Sequence, residues 1–175
     1  AVVLFQALLG GVSLYMMSAV RGYVAGESLW SKGQKDAIYY LNLYADSRDE
    51  SIFCKYQKSM AVPQGGHELR VALDRQPPDL EAARRAILKG GNHPDDVPSL
   101  IWLYLNFRHF SYLERAIDRW TVGDAYLVQL DQVAQDMHRR FVAGQASAAE
   151  VEGWKEEIFA INEAVTPAAR AFSDA

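Results

Sequence analysis

With 175 residues and a net charge of −4, the chain is long enough for one domain with a hydrophobic core. Its 18 basic residues are scattered and are outnumbered by 22 acidic ones, so a nucleic-acid partner is not expected. A single cysteine, Cys54, excludes an internal disulfide framework.

The first 20 residues, AVVLFQALLGGVSLYMMSAV, carry no charged side chain. At about 1.5 Å per residue, a helix of this length crosses a hydrocarbon core of about 30 Å. We therefore predict a transmembrane helix over residues 1–20, with Arg21 and Tyr23 at the membrane interface. Two alternatives remain, a buried helix of a soluble domain and a signal peptide, whose apolar region is usually about 7–15 residues long.

The next stretch, residues 21–44, lacks proline and repeats aromatic and small residues every seven positions. Tyr23, Trp30, Ala37 and Tyr44 form one such series. A spacing of seven is two helical turns, so these residues share one face of a helix. The pattern predicts one long helix that continues from the membrane span and packs against partner helices.

Glycine and proline are concentrated in the middle of the chain, where we predict shorter helices. One helix is expected over residues 51–62, ending near Pro63-Gln64-Gly65-Gly66. Another is expected over residues 79–89, because acidic residues come first and basic ones last. Gly90-Gly91-Asn92 should close this second helix.

The last third predicts two long helices. The first should begin at Asp95-Asp96-Val97-Pro98 and run to about Ala143, with a kink or interruption at Thr121–Gly123. The second should begin at a capping box of Ser147 and Glu150. Its apolar residues alternate in steps of three and four, which is typical of a bundle seam: Val151, Trp154, Ile158, Ile161, Val165, Ala168 and Phe172. Pro167 is expected to bend this helix.

No stretch alternates apolar and polar residues over the length of a strand, so the fold class is predicted to be all-α. The expected architecture is an antiparallel helical bundle with a long N-terminal helix continuing from a membrane span. The predicted units are a transmembrane helix over 1–20 and a helical domain over 21–175. Since the sequence has no initiator methionine, we also expect it to be a piece of a longer protein.

Motifs that would indicate an enzyme are absent from the sequence. It has no glycine-rich phosphate loop, no CxxC, no HExxH and no nucleophile elbow. The four histidines are far apart, and none has metal-ligand spacing to another histidine or to Cys54. We therefore expect no catalytic residue, no metal and no cofactor in this chain.

One candidate binding face lies on the long first helix, where Trp30, Lys32, Lys35 and Tyr39 come within three turns. Aromatic surface beside amines and polar side chains suits a small polar or anionic ligand. The alternative is that Trp30 belongs to the core and that the lysines are simply solvated.

A second candidate face is predicted near the start of the long helix that follows Asp95. Arg108 and Arg115 are seven residues apart with Tyr112 between them, so an unbroken helix would place all three on one face. Two guanidinium groups flanking an aromatic ring can clamp a carboxylate or a phosphate. The alternative is that these are ordinary surface arginines of an amphipathic helix.

The segment MSAVRGYVAGESLWSKGQKDAIYYL, Met17 to Leu41, resembles the start of the extracytoplasmic helical sensor region of bacterial membrane signalling proteins. In those proteins the region precedes GGDEF diguanylate cyclase or EAL phosphodiesterase domains, or histidine kinases. The resemblance implies a periplasmic helical bundle at the inner membrane that relays a signal to a cytoplasmic output domain outside this chain. It implies no particular ligand and no particular binding residue.

Two functions follow as expectations. The first is a signal-input domain, in which a small anionic ligand or a periplasmic partner protein shifts the first helix against the last. The second is a membrane-anchored structural or dimerisation module without a small ligand. Both imply a membrane partner and a homodimer, and neither implies a nucleic acid.

Overall fold

The computed structural model describes the backbone of residues 2–173, and the side chains of this range except those of 2, 4, 5, 7, 8, 112, 116 and 166–173. Within that range the chain is all-helical and has no strand, which confirms the predicted fold class. The helices are α1 (Val2–Ser47), α2 (Glu50–Leu73), α3 (Leu80–Lys89), α4 (Val97–Phe107), α5 (Ser111–Val142) and α6 (Ala148–Ser173), with a 3₁₀ turn at Pro94–Asp96 before α4.

Helix α1 runs without a break for 46 residues. An unbroken helix was predicted from the aromatic and small residues that recur every seven positions. Trp30, Ala37 and Tyr44 of the predicted series are buried. The first half of the helix differs, because apolar side chains such as Leu14 and Met17 are mostly exposed. Other helices cover the first half on one side only, where Ala19 is buried and Tyr15 packs against Trp102, whereas they surround the second half.

Membrane crossing was predicted for the start of α1. In the described part of the chain, no helix has both the length and the apolar character that a membrane span requires. The predicted span over residues 1–20 includes positions 1, 2, 4, 5, 7 and 8, whose side chains lie outside the described residues. The span stays a prediction.

Helix α2 does not end near Pro63, and that expectation was wrong. The helix continues through Pro63, Gly65 and Gly66 to Leu73. A Cβ at Gly65 would lie 2.6 Å from the carbonyl oxygen of Ala86, so α2 and α3 are in backbone contact there. The glycine is needed for this close helix crossing, and tertiary packing outweighs its low helix propensity.

The long helix predicted from Asp95 to Ala143 is also divided differently. The chain leaves the helical path after Phe107, and α5 begins at Ser111. In contrast, α5 continues through Thr121–Gly123, where a kink was expected. Gly123 is buried against the indole of Trp30, since a Cβ there would lie 3.1 Å from Trp30 Cζ2. This glycine accommodates a neighbouring ring and leaves the helix unbroken.

Side chains cap the starts of α3 and α6, and of these two caps only the second was predicted. Asp79 accepts a hydrogen bond from the Ala82 backbone N–H at the start of α3. Before α6, the Ser147 N–H donates to Glu150 Oε2 at 2.8 Å, and the Glu150 N–H donates to Ser147 Oγ at 3.3 Å, which is the predicted capping box. The seam of α6 is buried from Val151 to Val165, while the side chains of Ala168 and Phe172 lie outside the described residues. The backbone of α6 remains helical through Pro167.

Two apolar clusters hold the helices together. The larger one, here called the main core, joins the second half of α1 to α2, α5 and α6 through residues such as Leu41, Leu130 and Ile158. A smaller cluster joins α2, α3 and α4 around Leu73 and Tyr104. The space between the two clusters is incompletely filled, and the candidate site lies there.

Candidate functional site

A cavity of about 100 Å³ lies where α1, α2, α3, α4 and α5 meet. Members of both clusters line it, Trp30 from the main core and Tyr104 from the smaller cluster. On α1, Gly22, Gly26 and Trp30 follow one another at intervals of four residues and form one wall. A cavity needs about 10–15 Å³ of such space to hold a single water molecule, and this one is several times larger.

Five glycines line this cavity. They are Gly22 and Gly26 on α1, Gly65 and Gly66 on α2 and Gly90 after α3. At Gly66 an added Cβ would make ordinary contacts, 3.6 Å from Trp30 Cδ1 and 3.7 Å from Arg70 Nη1. A larger side chain at this position would therefore enter space that is now empty.

Aromatic rings supply much of the remaining lining. Tyr23 and Trp120 pack against each other with ring centres 5.6 Å apart, and Trp30 and Tyr104 contribute further surface. Trp30 is 8% exposed, and its indole Nε1 is buried without a hydrogen-bond partner among the described residues. Because an unpaired buried donor costs free energy, an acceptor placed beside this N–H would be favoured.

Arg70 is the positive charge of the cavity, and the protein already neutralises it. Arg70 is 7% exposed and forms an ion pair with the buried Asp124, whose Oδ2 also lies 2.7 Å from His67 Nδ1. The guanidinium carbon lies 5.6 Å from the centre of the Trp120 ring. Carboxylate and ring together hold the guanidinium in place, so Arg70 is poorly suited to recruiting an anion.

Glu27 is the negative charge of the cavity, and no ion pair to it is found among the described residues. It lies between Tyr23 and Trp30 along the same side of α1 and is half-buried at the rim. Burial raises the pKa of this carboxyl above its ordinary value, because removal from water disfavours the charged form. The Glu27 carboxylate is therefore available to pair with a positively charged group of a ligand.

The first predicted face is divided by the structure. Trp30 lines the cavity, whereas Lys32 and Lys35 border a shallow groove formed by α1 residues alone. Lys32 Nζ donates to Asp36 Oδ2 at 2.5 Å in an exposed ion pair. Tyr39 is 62% exposed and packs against Tyr40. Of the four predicted residues, only Trp30 takes part in the cavity.

The second predicted face is not formed, because the helix on which it depended ends at Phe107. Arg108 lies at the C-terminal cap of α4, where its Nη1 donates to Asp74 Oδ1 at 2.6 Å. Arg115 is exposed on the separate helix α5. The side chain of Tyr112 lies outside the described residues. The two guanidinium groups therefore do not share one helix face.

Sequence reasoning missed Glu27 and Arg70. Glu27 could have been found from its position between Tyr23 and Trp30 on a helix where Gly22 and Gly26 are four residues apart. Arg70 could not be found in this way, because its partner Asp124 is 54 residues away and nothing local marks the pair. Within the described residues, no three His, Cys, Asp or Glu side chains come together as a metal site.

Comparison of the chain with protein-family models, with curated proteins and with solved structures finds no match. The function is therefore inferred from the cavity and from the helix that forms its wall.

Proposed function

We propose that this chain is the signal-input domain of a membrane-bound signalling protein, and that a small molecule binding in the cavity between α1 and α5 is its signal. The observation that carries the proposal is a formed, partly polar cavity with one wall on α1. A structural bundle has no need of such a space, since cores normally pack to high density.

The cavity is positioned so that a ligand would act on α1. Gly22, Gly26 and Trp30 contact it on one side, and the other four helices close it from the opposite sides. A ligand that binds one position of α1 better than another would shift the equilibrium between them. Small displacements of packed helices of this kind are a common means of switching.

Transmission would use the full length of α1. Its first half is free of other helices over most of its surface, and its C-terminal end packs against α6, where Lys155 forms an ion pair with Asp46. In an antiparallel bundle α6 would return toward the start of α1. A shift of α1 would then appear as a change in its position relative to α6, which an output domain outside this chain can read.

A thermal-shift screen of small organic molecules tests the proposal. A ligand stabilises the folded state by mass action, by about 2.7 kcal/mol at a hundredfold excess over its dissociation constant. We expect at least one compound to raise the melting temperature of the wild type and to lose most of that effect with Gly66→Ala, whose methyl group enters the cavity beside Trp30.

Gly153→Ala is the matched control, because a Cβ at Gly153 meets nothing within 4 Å. Ligand-induced shifts should be unchanged in this variant. If no compound shifts the wild type, or if the shifts persist with Gly66→Ala, the cavity is not the signal site.

The proposed location is the inner membrane, with residues 1–20 as the anchor and residues 21–175 in the periplasm. The support is the uncharged N-terminal stretch and the exposed apolar side chains of α1, such as Leu14 and Met17. A periplasm-active and a cytoplasm-active reporter, each fused after residue 175, would test the topology. Activity of the cytoplasmic reporter alone would contradict it.

A structural or dimerisation module is the second candidate, and the exposed stripe on α1 favours it. Val3, Met17 and Val24 are more than half exposed, and Gly10 completes a series with a spacing of seven. Such a series on one helix is typical of a seam for another helix, here that of a second copy or of a partner protein.

The molecular mass in solution shows whether this stripe is the seam of a dimer of this chain. Met17→Lys and Val24→Lys should convert a dimer into a monomer if the stripe is a dimer seam, whereas Lys58→Glu on the exposed side of α2 should not. A dimer that survives both α1 substitutions would contradict a seam at this stripe.

A further inference from the structure

The charges that line the cavity are Glu27 and Arg70, and only one of them is available to a ligand. Arg70 is buried against Asp124 and Trp120, so bringing an anion to it would require competition with an existing ion pair. None of the described residues forms an ion pair with the Glu27 carboxylate, although Lys32 and Lys35 border the adjoining groove, and burial raises its pKa. Electrostatic complementarity therefore favours a positive group at the rim of the cavity.

The rings that line the cavity suit the same chemistry, because the faces of tyrosine and tryptophan rings attract cations. Arg70 and Arg108 already lie near the Trp120 and Tyr104 rings, and Tyr23 and Trp30 are the other two aromatic residues of the lining. Aliphatic side chains such as Leu69, Leu100 and Leu103 form much of the remaining lining. A ligand that fits both parts has a charged end and an apolar end.

We propose that the cavity binds a small organic cation, a primary or methylated amine that carries an apolar group. Its ammonium contacts Glu27 at the rim, and its apolar group lies among the rings and leucines of the interior. This inference rests on the proposed function, because it assigns a ligand class to the same cavity.

The inference differs from the anionic ligand expected from the sequence. That expectation depended on Lys32, Lys35, Arg108 and Arg115, none of which lines the cavity. It also assumed that the charged group of the site that is available to a ligand would be positive. The free charge at the cavity is instead a carboxylate.

Three probes of nearly the same shape and different charge test the inference: 2-phenylethylammonium, the neutral 2-phenylethanol and the anionic 3-phenylpropionate. Their affinities are measured by calorimetric titration at neutral pH. We expect the cation to bind about tenfold more tightly than the alcohol, as for one hydrogen bond to a charged group, and the anion to bind most weakly.

Glu27→Gln keeps the shape of the side chain and removes its charge. It should weaken binding of the cation by about tenfold and leave binding of the alcohol nearly unchanged. Glu157→Gln, at an exposed position of α6, changes the net charge equally and should affect neither probe. A thermal melt of each variant confirms that it is folded.

The outcomes separate the ligand class from the proposed function. If the alcohol or the anion binds as tightly as the cation, and Gly66→Ala weakens it, the cavity is a ligand site and the cation assignment is wrong. Equal weakening of all three probes by Glu27→Gln would also overturn the assignment, because the carboxylate would then shape the cavity without selecting charge. If no probe binds, the cation assignment fails, and the thermal-shift screen decides separately whether the cavity binds a ligand of another class.

Discussion

Gly65 of α2 and Gly90 at the end of α3 are in backbone contact: a Cβ at Gly65 would lie 2.7 Å from the Gly90 nitrogen. The same position would lie 2.6 Å from the carbonyl oxygen of Ala86. Real Cβ atoms do not approach backbone atoms so closely, so any side chain at Gly65 must push the two helices apart. This contact closes the cavity on the side of α2 and α3.

Gly65→Ala should therefore destabilise the protein, although alanine is the better helix former. Overpacking of this kind typically costs about 1–3 kcal/mol. Gly153→Ala, on the exposed side of α6 with open space around it, should instead stabilise the protein by about 0.5–1 kcal/mol. Chemical unfolding of both variants measures the difference, and a Gly65→Ala protein as stable as the wild type would contradict the helix contact.

The sequence predicted the helices wherever local chemistry decides the outcome. The periodic seam of α6, its Ser147–Glu150 capping box and the unbroken course of α1 needed no knowledge of the fold. Gly65 was misinterpreted as a helix end, because the residue that stops an isolated helix is also the one that lets two helices touch.

The candidate site was less predictable for the same reason. Trp30 could be selected because it belongs to a local repeat on α1. The pairing of Arg70 with Asp124 depends on the packing of α2 against α5, which no local pattern encodes. The end of α4 at Phe107 has neither glycine nor proline to mark it, and the predicted Arg108–Arg115 face therefore assumed a continuous helix.

The ion pair of Arg70 with Asp124 should be important for stability, because both residues are more than nine-tenths buried. Asp124→Asn leaves the guanidinium buried without a counter-charge, and we expect a loss of about 3–5 kcal/mol. Asp136→Asn breaks the exposed pair with Arg139 and should cost at most about 1 kcal/mol. Similar unfolding free energies for the two variants would contradict the buried role of Asp124.

Neighbouring residues of α6 provide an internal comparison of the main core. Ile158 is fully buried, whereas Phe159 is 66% exposed. Ile158→Ala should lower the free energy of unfolding by about 2–5 kcal/mol. Phe159→Ala should change it by less than about 0.5 kcal/mol, as is usual for surface substitutions. Thermal or chemical unfolding showing the reverse order would place the opposite face of α6 in the core.

Acid should weaken the start of α6 through Glu150. Hydrogen bonds from the backbone N–H and the hydroxyl of Ser147, with a further one from Arg140, lower the pKa of this carboxyl to about 2. Because the folded-state pKa lies below the ordinary value, the stabilisation is present above about pH 4.5 and is lost as the pH falls toward 2.

The wild type should therefore be more stable than Glu150→Gln at neutral pH, and the difference should shrink between pH 5 and pH 2. Melting curves of both proteins across this range measure it. A difference that stays constant with pH would mean that ionised Glu150 does not stabilise the cap.

The central claim, that a small molecule binds in the cavity against α1, can be tested with the four tryptophans as reporters. Trp30 and Trp120 line the cavity, whereas Trp102 and Trp154 do not. In an ¹⁵N-labelled sample, the indole N–H signals are followed while the tightest-binding of the three phenyl probes is added. We predict that the Trp30 and Trp120 signals shift with saturation and that the other two stay in place. A shift confined to Trp102 or Trp154, or no shift of any indole signal, would contradict the claim.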